Sequence, residues 1–122
     1  MQLSIAEQFS RMPAGRSRAD GPFSGTYFRS DYLIPRLLEA SKTNKMLVVE
    51  LDGVLGYSSS FLEEAFGGLL RDPRITPEIV KNNLEIKALS RAYEAAKLDI
   101  LQYISKAVSE YVPANKEARQ VH

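Results

Sequence analysis

Apolar positions change their period several times along the chain, and each change marks an element. Leu3, Ile5 and Phe9 alternate weakly with polar residues, which predicts an edge strand over 3–9. Pro13, Gly15, Gly21, Pro22 and Gly25 crowd the next stretch, so 11–25 reads as a long turn or loose hairpin. Tyr27, Phe28, Leu33, Ile34, Leu37 and Leu38 then form a stripe at helical spacing. Ser24 or Thr26 is placed to cap that helix, and Pro35 predicts a kink or a restart within it. The segment 46–51 (Met-Leu-Val-Val-Glu-Leu) is nearly continuous apolar, the pattern of a central strand covered on both faces.

Beyond the loop at 52–57, Phe61, Leu62, Ala65, Phe66, Leu69 and Leu70 give a second helical stripe, capped by one of Ser58, Ser59 and Ser60. Gly67-Gly68 within it predicts close packing against another backbone, since glycine there costs about 1 kcal/mol each. Thr76-Pro77 opens a short helix to Lys81, and 84–89 alternates as a strand nearer an edge. Ser90 is the expected cap of a last helix whose stripe runs from Tyr93 to Tyr111. That stripe is expected to lie on the sheet, with any surplus width forming a dimer face. The order of elements predicts a small α/β sandwich, with a mixed or partly parallel sheet of three to four strands packed against helices. One domain would span 1–113, followed by a polar tail, 114–122, expected to be disordered.

Composition narrows the chemistry. The 122 residues carry 16 basic and 15 acidic side chains, a net charge of +1, which argues against bulk binding of nucleic acid. There is no cysteine, and the one histidine is His122, so cysteine chemistry and histidine-based triads are excluded and no metal or cofactor is expected. No apolar run approaches a membrane span and the first residues do not form a signal peptide, so a cytoplasmic protein is expected.

Between residues 46 and 70 there are four acids, Glu50, Asp52, Glu63 and Glu64, and no base. Asp52 and Tyr57 bound the loop that leaves the central strand, where α/β folds gather their ligands and partners. Ser58, Ser59 and Ser60 stand where that loop enters a helix N-terminus. Arg11, Arg16 and Arg18 make the most basic loop, either an anion or nucleotide clamp or a set of arginines paired with the acidic window.

Two families resemble parts of this pattern. Val49-Glu50-Leu51-Asp52-Gly53-Val54-Leu55 resembles the signature of haloacid-dehalogenase-like phosphatases. Glu50 stands where that family has its nucleophilic aspartate, and its extra methylene displaces the attacking oxygen. The later acidic pair is missing, so a magnesium-dependent phosphatase is not expected.

The second resemblance covers most of the chain. Pro13-Ala14-Gly15-Arg16, the run from Gly21 to Arg29, the loop from Leu51 to Tyr57 and Ser59-Ser60-Phe61-Leu62-Glu63-Glu64-Ala65-Phe66-Gly67-Gly68-Leu69 resemble the bacterial STAS-like domains of unknown function. Those are similar to the STAS domains of anti-sigma-factor antagonists. The resemblance implies a non-catalytic regulatory module and, as partner, a histidine-kinase-type ATPase. STAS antagonists carry Asp-Ser-Ser-Gly at the corresponding helix start, which aligns with Ser58, Ser59, Ser60 and Phe61; only the two serines match. It implies Ser59 as the candidate phosphoacceptor. Asp52, Tyr57, Ser58, Ser60, Phe61, Glu63 and Glu64 would form the partner-facing surface around it.

Overall fold

The computed structural model describes residues 1–112, so the tail expected at 114–122 lies outside the described residues. Three strands, β1 (Gln2–Ser4), β2 (Leu47–Glu50) and β3 (Leu84–Lys87), form one sheet in the order β1-β2-β3. Both pairings are parallel, so the sheet is not mixed, and Leu3, Val49 and Ile86 stand side by side in register. Two right-handed crossovers taken in the same direction land on the same face. The core accordingly lies on one side of the sheet, under Leu3, Leu47, Val49 and Ile86.

The opposite face carries Gln2, Val48 and Glu85 in one row and Ser4, Glu50 and Lys87 in the next, all at least partly exposed. This corrects the expectation of a central strand covered on both faces. Val48 is the one apolar residue on that face, and its neighbours are polar, so water covers it without much apolar exposure.

The first strand is shorter than its alternation implied. Ser4 turns the chain by accepting the Glu7 N–H on its hydroxyl (3.2 Å), and 5–9 coil into a wide helical turn. The loop that follows is closed as a loose hairpin by Ala14 N–H to the Phe23 carbonyl and Gly25 N–H to the Gly15 carbonyl, both 2.9 Å. Helix α1 (Gly25–Phe28) is capped by the buried Ser24 and runs without a break into α2 (Ile34–Lys42). A π-type turn, Arg29–Leu33, joins them directly before Pro35. A proline cannot donate to the helical ladder and its ring crowds the preceding turn. One wide turn absorbs that conflict, so the helix neither restarts nor breaks.

The second crossover begins with α3 (Ser59–Leu62), widens at Glu63–Gly67 and ends in a 3-10 turn, Leu69–Arg71. It crosses α1 closely. A Cβ on Gly25 would lie 2.8 Å from the Phe61 carbonyl oxygen and 3.1 Å from the Ala65 nitrogen. Phe28, Phe61 and Phe66 fill the angle between the helices, with Phe9 against the first two. Helix α4 (Pro77–Asn83), capped by Thr76, packs against α2 and runs directly into β3.

Helix α5 (Glu94–Ser109) lies on the crossover helix of residues 59–71, not on the sheet as its stripe suggested. A 3-10 turn, Arg91–Tyr93, precedes it, and the Ser90 hydroxyl serves Asp52 rather than capping it. Among the described residues no helix is long and apolar enough to cross a membrane.

Gly25→Ala separates two effects of opposite sign. Helix propensity alone favours alanine by about 1 kcal/mol. The close crossing instead predicts a loss of about 1–3 kcal/mol from overpacking. Urea denaturation reads the sign, and a stabilised variant would refute the close crossing.

Candidate functional site

The loop after β2 is anchored from several directions. Asp52 reaches to the end of β3, where its Oδ1 accepts the Leu89 N–H (2.7 Å) and its Oδ2 accepts the N–H (3.0 Å) and hydroxyl (2.9 Å) of Ser90. Desolvation pushes this carboxyl upward, but the three donors outweigh it and hold it below the usual carboxylate range. Gly53 adopts φ +96°, and a Cβ there would stand 2.9 Å from that of Ala6, so no other residue fits without strain. The Tyr93 hydroxyl accepts the Gly53 N–H (3.2 Å) and donates to the Val54 carbonyl (2.7 Å). The Tyr57 hydroxyl donates to the Leu51 carbonyl (2.8 Å), and burial, followed by Tyr93 and Asp52, raises its pKa far above the ordinary value. It therefore remains a donor throughout the working pH range.

This anchored loop presents Leu55 to solvent, 71% exposed, and its N–H is bound by the Arg11 carbonyl (2.8 Å). Met12, the next residue, is 68% exposed, and Leu89, bonded to Asp52, is also exposed. Phe23, edge-on to Phe9, is partly exposed beside the same hairpin. Met12 and Leu89 were not singled out by the sequence. A lone apolar residue among breakers carries no periodic signal, so only its exposure identifies it.

The three serines have different situations. Ser58 is the helix cap, its Oγ accepting the Phe61 N–H (3.2 Å) and lying 3.4 Å from the Ser60 Oγ. Ser59 is exposed, and among the described residues its hydroxyl makes no hydrogen bond; Ser60 is half-buried. Phe61 is fully buried among Phe9, Phe28 and Tyr57, so it anchors the helix and offers no surface to a partner.

Glu63 and Glu64 are not an open acidic face. Arg29 binds both the Glu64 carboxylate (2.7 Å) and the Glu64 carbonyl, and this pair is largely buried. Arg71 reaches Glu64 (3.0 Å) and Glu63 (3.5 Å), and Arg16 binds Glu63 and approaches Glu64 (3.8 Å). The Arg29 guanidinium passes over Gly68, where a Cβ would collide with it and with the Glu64 carbonyl; that explains one of the paired glycines. The other, Gly67, faces Glu63 and the Tyr103 Cβ of α5.

The basic loop is drawn apart by these contacts. Arg11 donates through Nε to the Gly53 carbonyl (3.2 Å), Arg16 serves the acidic pair, and Arg18 lies over the Tyr27 ring near Asp31 (3.6 Å). Each guanidinium has its own protein partner. Of the phosphatase-like positions, Glu50 is on the sheet face away from the core, beside Lys87 in register, while the Asp52 carboxylate is already filled by three donors.

Asp52→Ala should cost about 1–3 kcal/mol at neutral pH, because it strands backbone donors of Leu89 and Ser90. Folding holds the Asp52 carboxyl below its ordinary value of 3.8. Its contribution is therefore full above about pH 4 and fades as the pH falls through the lower folded-state value. The gap between wild type and Asp52→Ala in urea denaturation should narrow between pH 5 and pH 2, on the order of that window. A gap that is constant with pH would refute the role of the carboxylate.

A family model described as a STAS-like domain of unknown function (DUF4325) matches residues 30–94, more than half of the chain. No curated protein and no solved structure matches it. The matched span holds β2, the anchored loop, the crossover helix and β3, and the parallel α/β architecture around them is consistent with a STAS-like fold. The chain belongs to the family of STAS-like domains of unknown function.

Proposed function

We propose that this chain is a non-catalytic regulatory module that binds a protein partner at the carboxyl end of its sheet. The observation that carries the reading is Leu55, an exposed leucine on a loop fixed by Asp52, Gly53, Tyr57 and Tyr93. A rigid loop loses little entropy on binding, and an exposed apolar side chain on it is an anchor in search of a pocket. Met12 beside it and the free hydroxyl of Ser59 extend the surface toward the helix start.

The partner is a histidine-kinase-type ATPase, a class that the resemblance to anti-sigma-factor antagonists brings with it. Ser59 is its phosphoacceptor in this reading. Phosphate there would add roughly −1.5 to −2 charges. Glu63 lies one helical turn away and is bound by Arg16, so the phosphate would compete with Glu63 for that arginine.

The test is a pull-down from native cell extract with wild type, Leu55→Asp and Ser59→Glu, read by mass spectrometry. Wild type should recover an ATPase of this class, and Leu55→Asp should recover at least about tenfold less, a difference of 1.4 kcal/mol. Loss with Ser59→Glu supports the phospho-switch, and equal recovery removes it. Equal recovery with Leu55→Asp removes the docking loop.

A further inference from the structure

We propose that α5 pairs with α5 of a second copy of this chain, antiparallel, about a two-fold axis. Ala96, Ile100 and Tyr103 occupy one side of α5 against the core. A second stripe, Leu98, Leu101, Ser105 and Val108, runs along the other side at spacings of three, four and three. That is the repeat of a two-helix seam. Leu98 is 59% exposed, Leu101 44% and Val108 39%, although each is an apolar residue in an ordered helix. At about 100° per residue, Asp99 and Lys106 fall on a different side, so no charge interrupts the stripe between Leu98 and Val108.

The stripe is complementary to itself. In an antiparallel pair the two seam positions alternate across the interface, so Leu98 meets Val108 of the second copy and Leu101 meets Ser105. Each larger side chain faces a smaller one, and the same four residues supply both halves, as an isologous contact requires. On the flanks Gln102 faces its own copy, and within Glu94–Ser109 no like charges oppose. A parallel pair would instead bring Glu94, one turn before Leu98 on the same stripe, against its own copy. Like charges there repel, which selects the antiparallel arrangement. The seam is short, and its pairing is expected to be concentration-dependent. It shares no residue with the loop at 52–60 and does not depend on the partner-binding reading.

Sedimentation equilibrium of the full chain from micromolar to millimolar concentration should show the mass doubling. Leu101→Glu, with unchanged circular dichroism, should remain monomeric. Because the chain has no cysteine, single-cysteine variants report the geometry directly. Under mild oxidation Gln102→Cys should cross-link to a dimer and Leu98→Cys should not, and this holds even if Leu101→Glu fails to fold. A monomer throughout the range overturns the proposal. So does a folded Leu101→Glu variant that still dimerises, or cross-linking by Leu98→Cys in place of Gln102→Cys.

Discussion

The crossing of the two crossover helices is the contact on which the rest of this molecule depends. Gly25 lets the backbone of one helix touch that of the other, and Arg29 reaches over Gly68 to bind the Glu64 carbonyl and carboxylate. Close-packed helices on one face of a three-stranded parallel sheet leave little freedom in how the second helix starts. The position of the Ser58 cap, the burial of Phe61 and the exposure of Ser59 all follow from where that crossing puts the first turn.

The same crossing settles the fate of the charges. An acidic pair on an exposed helix start would be a field for a basic partner. Here three arginines from three different segments converge on Glu63 and Glu64, and the innermost pair, Arg29 with Glu64, is mostly removed from water. A buried pair of this kind tolerates the loss of neither member, because the survivor is stranded without its counter-charge. Its role is to hold the helices in register.

That end is held by short, directed bonds. Asp52 spans from the end of β2 to the end of β3, and two tyrosine hydroxyls fasten the loop between them to its own backbone. The family to which the chain belongs has no assigned function, and the STAS-like fold does not by itself supply one. What distinguishes this surface is the combination of a rigid loop with an outward leucine.

Much of this was readable in the linear order of residues. The alternation of apolar periods located the three strands and the crossover helices, because burial on one face leaves a period whatever the partner. The caps Ser24, Ser58 and Thr76 lie among the candidates that the sequence offered, Ser24 or Thr26 and one of Ser58, Ser59 and Ser60, since a cap is a local interaction. The loop after β2 and the helix start that follows it were also placed by position alone. Other features depended on what lies across the fold. Glu63 and Glu64 read as an acidic face, and only the arrival of Arg16 and Arg29 from distant segments, beside Arg71 of the same crossover helix, made them part of an ion network. Phe61 belonged both to the apolar helical stripe and, by resemblance, to the partner-facing surface, and packing against Phe9 and Phe28 decided for burial. The stripe on α5 announced an apolar face that was expected on the sheet, and the topology set it on a helix instead. Periodicity and capping are short-range and are written in neighbouring residues; the pairing of charges and the choice of which faces meet are long-range, and they exist only once the chain has folded.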